Sequence, residues 1–485
     1  MSKEFDFVIL GAGFAGMCMA IKLKEAGMHN FVILERDKDL GGTWLANSYP
    51  GAACDVQSHL YSYSFEPKPD WSRMFGPQQE IWQYMKHCAT KYGLYPHFQF
   101  ETTVNGASFN HETGKWLVKT DKGEYTASFF VSCSGGLSQP AMPDIKGLPG
   151  FKGKVFHSAK WDHSYNLKDK TVAVIGTGAS AIQIVPTIAP EVKELHLFQR
   201  TPPWILPKPD RAMKTFEKKM FAAIPAMQKL LRGLLYWRNE LFAVGFVSKP
   251  GIMKLAQKMA AKHINTVIKD EGLRKKVTPT YQVGCKRILL SNEYYQALNR
   301  SNVEVVTESI REITEQGIVT ADGKERKVDA IILATGFHAA DGVVPFAIKG
   351  SNGLDLNEAW KNGAEAYLGT SISGFPNLFL IVGPNTGLGH SSMLLMIEAQ
   401  VHYVMEAVRQ VKQNKWKAID VKPDVQKSYN EDLQQQLSHT IWQTGGCVSW
   451  YQDKNGKNVT LWPGHTFTFM KRTKNFEPDK YTVVK

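Results

Sequence analysis

FDFVILGAGFAGMCMAIKL, Phe5 to Leu23, decides the fold. An apolar run from Phe5 to Leu10 meets GAGFAG (Gly11 to Gly16), and Met17, Ala20, Ile21 and Leu23 then recur at helical spacing. Read in order, that is a strand, a glycine turn and a helix. Gly11 allows the tight turn, Gly13 lets backbone approach a pyrophosphate, and Gly16, just after Ala15, lets helix pack on strand. The start of the helix offers free N–H groups and a positive dipole end to phosphates. The next apolar strand, Phe31 to Leu34, ends in Glu35, an acid about 20 residues on and placed to accept hydrogen bonds from ribose hydroxyls. A lone glycine motif says little; strand, loop, helix and acid together predict a dinucleotide site.

The same pattern returns later in the chain. Val172 to Ile175 reads as a strand, and Gly176, Thr177, Gly178, Ala179 and Ser180 as its turn. Ala181, Ile182, Gln183, Val185 and Ile188 then open a helix, with alanine as the third small residue. The second strand of this module, Leu195 to Phe198, ends in Gln199-Arg200-Thr201, with no acid at the tip. A cation there pairs with a 2′-phosphate and favours NADP over NAD. The competing reading of Arg200 is a solvated surface arginine. Two modules with different tips predict two different dinucleotides.

A chain of 485 residues exceeds one compact core and predicts two or three domains. Six scattered cysteines with no C-x-x-C pair argue against a disulfide framework, a zinc site or a redox dithiol, and predict no metal. A reducing cytoplasm is the expected setting. Asp6 and the glycines break the apolar N-terminus, so it reads as a nucleotide loop and not as a signal peptide. No stretch reaches the roughly 18 apolar residues of an integral membrane segment. Leu230 to Val247, broken by Arg232, Arg238, Asn239 and Glu240, reads as part of a buried or substrate-lining helical insert, with a loose membrane contact left open. The net charge of +13 raises a nucleic-acid hypothesis, but no nucleic-acid motif accompanies it. It reads as solvation plus attraction for a cofactor carrying several phosphates.

Between the glycine loops lies FKGKVFHSAKWD, with Phe151, Gly153, His157, Trp161 and Asp162 in the pattern F-x-G-x-x-x-H-x-x-x-W-D. It resembles the fingerprint of the Baeyer–Villiger monooxygenases, flavoenzymes that insert an oxygen atom beside a ketone carbonyl. Related enzymes that oxidise amines and sulfides carry an aromatic-plus-basic ending where this chain has Trp161-Asp162. The plainer alternative is a packed turn.

The resemblance covers nearly the whole chain, most densely at residues 8–62, 151–201 and 284–306. It implies FAD on Gly11, Gly13, Ala15, Gly16 and Glu35, and NADP on Gly176, Thr177, Gly178, Ala179, Ser180, Gln183, Arg200 and Thr201. The segment GGTWLANSYPGAACD (Gly41 to Asp55) resembles the family stretch along the flavin. That implies Thr43 and Trp44 against FAD, and Asp55 near flavin and nicotinamide. Tyr61, Val104 and Met393 match further FAD-lining positions. Ala53 stands where the family often has an arginine. In GCKRILLSNEYYQALNRSNVEVV (Gly284 to Val306), Lys286 takes the position that touches the 2′-phosphate and Arg287 that of the active-site arginine, which also contacts NADP. Trp450 matches a tryptophan that contacts NADP and substrate. Read alone, Lys286-Arg287 is a solvated pair and Trp450 an interfacial one. His390, in GPNTGLGH, reads as a loop histidine satisfied by backbone.

The implied fold is α/β: two doubly wound Rossmann-type dinucleotide-binding domains with a helical insert. FAD would occupy residues 1–150 with 328–485, NADP residues 151–211 with 279–327, and the insert spans 212–278. The implied activity is NADPH- and oxygen-dependent conversion of ketones to esters or lactones through a flavin C4a-peroxide, with Arg287 and Asp55 as catalytic residues. An amine or sulfide oxygenase and a pyridine-nucleotide flavoprotein reductase remain as rivals.

Overall fold

The computed structural model describes residues 2–338 and 346–484. Strand Lys3–Leu10 pairs in parallel with Phe31–Leu34 on one side and Gly123–Ser132 on the other. It is central to an eight-stranded mixed sheet, in which Val104–Asn110 and Lys115–Thr120 continue antiparallel from Gly123–Ser132. Its side chains alternate between two cores. Phe7 and Ile9 enter the larger cluster with the helix Phe14–Glu25, while Val8 enters the cluster on the other face with Trp116 and Phe130. A strand buried on both faces reads as an unbroken apolar run, and that is how Phe7 to Leu10 reads.

The second sheet is wholly parallel, in the order Val303–Val306, Glu194–Phe198, Thr171–Ile175, Ala330–Leu333 and Lys154–His157. Val172 and Val174 point into one core, Ala173 and Ile175 into another. The fingerprint stretch thus supplies the edge strand Lys154–His157. The expected boundary at residue 328 needs correction at this edge: Ala330–Leu333 bonds to strands on both its sides within this sheet, so the crossing back to the first sheet lies beyond Leu333.

Both glycine turns solve one steric problem. Gly11 and Gly176 have φ of +98° and +112°, and a Cβ there would meet the carbonyl oxygen of Cys133 at 2.7 Å or of Ala334 at 2.3 Å. Each of those oxygens belongs to the end of the neighbouring strand, so only glycine lets the turn close over the sheet. The insert is helical, with Thr215–Ala223, Pro225–Val247, Met253–Val267 and Glu271–Val277. The longest of these, expected to be buried or substrate-lining, is buried along one side only. One flank of Pro225–Val247 faces solvent with Leu230, Leu234, Trp237 and Leu241.

Candidate active site

The first glycine loop delivers Gly13 to the start of the helix Phe14–Glu25, whose first turn has neither an acid nor a side-chain cap. Its leading N–H groups are therefore available to an anion. The Gly41-Gly42 turn touches this loop backbone to backbone, since a Cβ on Gly42 would lie 3.1 Å from Gly13 Cα. From that turn the short helix Thr43–Ala46 carries Trp44 inward. Trp44 Nε1 donates to the Tyr61 hydroxyl at 3.0 Å, and Trp44 and Phe14 both meet the Tyr61 ring edge-on. Glu35 sits at the strand tip as expected. Its carboxylate accepts from the Ala12 N–H at 2.7 Å and the Asp37 N–H at 3.0 Å, and burial raises its pKa against those two bonds. The Glu35 carbonyl accepts from Thr102 N–H at 2.8 Å, which draws buried Val104 toward the same end of the sheet. Met393 opens the helix Met393–Gln413, capped by Ser392 Oγ. Ile397, Val401, Val404, Val408 and Val411 form its buried stripe.

At the second loop, the helix Ala181–Ile188 also lacks a side-chain cap and a first-turn acid. Gly178 and Ala179 are exposed, and a Cβ on Gly178 would meet nothing within 4 Å. Thr177 Oγ1 donates to Thr201 O at 3.0 Å, locking the turn to the tip of the neighbouring strand. Arg200 lies beyond that tip and near Lys286. Burial and, after it, the Arg200 charge lower the pKa of Lys286. Two cations that feel each other's charge suit a dianion between them. Gln183, expected at the NADP site, also joins the two modules. Its amide accepts from the Tyr49 hydroxyl at 3.0 Å and donates to Ala53 O at 2.9 Å, so it pins the second module to the Gly41–Asp55 segment.

Arg287 and Asp55, 232 residues apart in sequence, meet between these loops. Arg287 Nε donates to Asp55 Oδ2 at 2.7 Å, and Nη2 stands 2.7 Å from the same oxygen. Asp55 is the largest cause of a raised Arg287 pKa, ahead of the opposing effect of burial. The guanidinium is fixed as a cation. Sequence reasoning missed Tyr451, a fully buried residue whose hydroxyl has no hydrogen-bond partner among the described residues and feels the Arg287 charge. Trp450 packs on it with ring centroids 4.5 Å apart. The only signal in the sequence was its place beside Trp450.

Two expectations are corrected around this centre. Cys285 and Cys447 are disulfide-bonded across 162 residues, which ties the loop bearing Lys286 and Arg287 to the loop bearing Trp450. Cys18, Cys54, Cys88 and Cys133 are free and buried. His390 is held by side chains: Nε2 lies 3.7 Å from Glu240 and 3.4 Å from Thr466 Oγ1. Burial works to raise the Glu240 pKa, but bonds from His390, Thr466 and His465 outweigh it and hold the carboxylate ionised.

Two uncapped helix starts, an acid at one strand tip and paired cations at the other fit two dinucleotides, the second bearing an extra phosphate. Comparison with known proteins agrees. A family model described as flavin-binding monooxygenase-like matches residues 5–347. A Pseudomonas aeruginosa protein named Baeyer-Villiger monooxygenase is similar, 50% identical over 482 residues, covering 99% of this chain and 92% of its own. A protein of the same name from Streptomyces coelicolor is 46% identical over 478 residues, covering 98% of this chain and 92% of its own. Among solved structures, an oxidised steroid monooxygenase bound to NADP superposes with a TM-score of 0.89 at 29% identity, covering both chains fully. A cyclohexanone monooxygenase from Rhodococcus sp. Phi1 bound to NADP+ gives 0.88 at 29% identity with the same coverage.

Proposed function

Since the chain belongs to the Baeyer–Villiger monooxygenases of the flavin-binding monooxygenase-like family, we propose that it oxidises ketones to esters or lactones with NADPH and O2. FAD, when bound, supplies the two-electron chemistry that joins NADPH to oxygen. The chain's residues bind, orient and stabilise charge. The first sheet, with Gly11, Gly13, Ala15, Gly16 and Glu35, is read as the FAD unit, lined by Thr43, Trp44, Tyr61, Val104 and Met393. The second, with Gly176 to Ser180, is read as the NADP unit, and Arg200, Thr201 and Lys286 as the holders of the 2′-phosphate.

Arg287 is read as the catalytic cation. The observation that carries the proposal is its ion pair with Asp55, between both nucleotide loops and beside Tyr451 and Trp450. A ketone under attack develops negative charge on its oxygen, and a fixed guanidinium aimed there stabilises that charge without reorganising. Asp55 positions the fork by holding its Nε–Nη2 edge. A cytoplasmic location belongs to the same reading and is supported by four free thiols; the Cys285–Cys447 bond leans the other way. Among the described residues no helix is long and apolar enough to cross a membrane.

The test is NADPH-dependent oxygen uptake by FAD-loaded protein with a panel of cyclic and linear ketones, the product identified by mass. An ester or lactone supports the proposal. Oxidation confined to amines or sulfides, or NADPH oxidation with no oxygenated product, refutes it.

A further inference from the structure

The helix Pro225–Val247 buries polar side chains beside Leu235, Ala243 and Phe246 and turns a row of large apolar ones outward. Its inner side carries Gln228, Arg232, Asn239 and Glu240, each held by hydrogen bonds. Gln228 Nε2 donates to Lys68 O at 2.7 Å, Arg232 Nη1 to His59 O at 2.8 Å and to Ser62 O at 3.0 Å, and Asn239 Nδ2 to Gln57 Oε1 at 3.3 Å. Glu240 accepts from the Thr466 N–H at 3.2 Å. The outer side carries Leu230, Leu234, Trp237 and Leu241, spaced i, i+4, i+7 and i+11 on one stripe. Leu241 is 73% exposed. The Phe467 ring lies 6.1 Å from that of Trp237, and both Phe467 and Met470 are exposed, so the apolar face extends onto the helix Thr466–Arg472. An open apolar face of this kind marks an interaction site.

The surrounding charge identifies what covers it. Residues 212–278 hold fourteen Lys and Arg against four Asp and Glu, which is ten of the chain's thirteen net positive charges. Between residues 218 and 267 the one acid is Glu240, and it is buried. Lys229 and Arg238 flank the stripe, one residue to either side, and Lys219, Lys249, Lys254 and Lys258 stand exposed on the same insert. A second copy of this chain would bring an equal positive field against this one. A nucleic acid would leave the leucines without a partner.

We propose that the outer face of this helix docks on an anionic lipid bilayer. The apolar stripe enters the headgroup boundary, and the long basic side chains reach the lipid phosphates. The helix lies on the membrane and does not cross it. Its inner side grips Gln57 to Ser62, next to Asp55 and Tyr61, so the docked element is bonded directly to the walls of the candidate site. Resting on the monooxygenase reading above, the substrates served are apolar ketones that partition into membranes.

The experiment mixes FAD-loaded protein with vesicles of phosphatidylglycerol and phosphatidylcholine in equal parts, and with phosphatidylcholine vesicles alone, at low ionic strength. Sedimentation with the anionic vesicles and release by salt are expected. Lys229→Gln with Arg238→Gln should weaken binding by roughly fivefold per cation removed. Leu234→Ser with Leu241→Ser should weaken it by at least an order of magnitude. These positions are exposed, so FAD content and the circular dichroism spectrum should be unchanged. Wild-type protein that ignores both vesicles, or binds both equally, overturns the proposal. So does a wild-type dimer that the serine variant makes monomeric, which assigns the face to self-association. None of these readouts needs oxygenation, so they fail independently of the product assay.

Discussion

Replacing Arg287 by alanine strikes the reasoning at its most exposed point. The Asp55 contact uses the Nε–Nη2 edge of the guanidinium, with both nitrogens 2.7 Å from Oδ2, and leaves the Nη1 end of the fork outside it; on the proposed reading that end meets the substrate oxygen. Removing a preorganised donor from a developing oxyanion costs about 10²–10³ in rate. Arg287→Ala should therefore lose ester formation by about that factor while FAD stays bound, because none of the residues read as FAD-lining is changed. NADPH consumed by the variant should appear as hydrogen peroxide. Arg287→Lys should recover little, since a point charge does not copy a planar fork. Asp55 acts through Arg287, and each side chain is 30% exposed, so the pair sits toward the weak end for charge-assisted bonds. Asp55→Ala should cost about 1.5 kcal/mol, roughly tenfold in ester formation. The double variant should then be no slower than Arg287→Ala alone. Ester and peroxide yields per NADPH, with flavin reduction followed separately under anaerobic conditions, report each step. Near wild-type ester yield from Arg287→Ala refutes the assignment. Multiplied losses in the double variant refute the dependence of Asp55 on Arg287.

Other outcomes follow from the nucleotide loops and the second sheet. Arg200→Ala should weaken NADPH binding roughly ten- to a hundredfold, the worth of one charge-assisted bond, and leave NADH unchanged in anaerobic flavin reduction; equal effects on both would remove Arg200 from the 2′-phosphate. The protonated form of Lys286 binds that phosphate, and its lowered pKa means the charge is lost at lower pH than in an ordinary lysine. NADPH affinity should accordingly decline early on the alkaline side, and Arg200→Ala should move the decline to higher pH. Gly11→Ala should yield protein without FAD, because its Cβ would press on Cys133 O at 2.7 Å; a yellow variant would contradict this. Glu304→Ala should cost about 1–2 kcal/mol in urea unfolding, because it strips the carboxylate from Arg326, whose side chain is 5% exposed and, among the described residues, keeps only the Thr320 hydroxyl. Arg326 is the largest cause of a Glu304 pKa pulled down to about 2. The stabilisation is therefore present above the ordinary glutamate range and fades as pH falls toward 2, so wild type and variant should converge there.

Reach in sequence separates what could be read from what could not. Each glycine loop was legible because its constraint is local. Strand, turn and helix lie within about twenty residues, and the turn closes only on glycine. Glu35 and Arg200 were legible for the same reason, standing one and two residues past the ends of short strands. Asp55 and Arg287 are 232 residues apart, and no periodicity pairs residues at that distance; resemblance alone put both at the site. Cys285 and Cys447 met no such aid, and scattered spacing hid a bond that only the folded loops bring together.

Pro225–Val247 is the sharper case, because its composition was visible and its orientation was not. A helix holding leucine, tryptophan, arginine and glutamate is ordinarily taken to bury the first two and expose the others. Here Gln228, Arg232 and Asn239 find acceptors between Gln57 and Lys68, and Glu240 finds donors at His390, His465 and Thr466. Those partners lie about 150 residues or more from the helix in either direction. Turning the helix over would hydrate these side chains but leave their buried partners, the carbonyls of His59, Ser62 and Lys68 and the Thr466 N–H, unpaired against leucine. Distant hydrogen bonds thus fix which face is presented, and the apolar face, displayed among lysines, is left to whatever surface meets it.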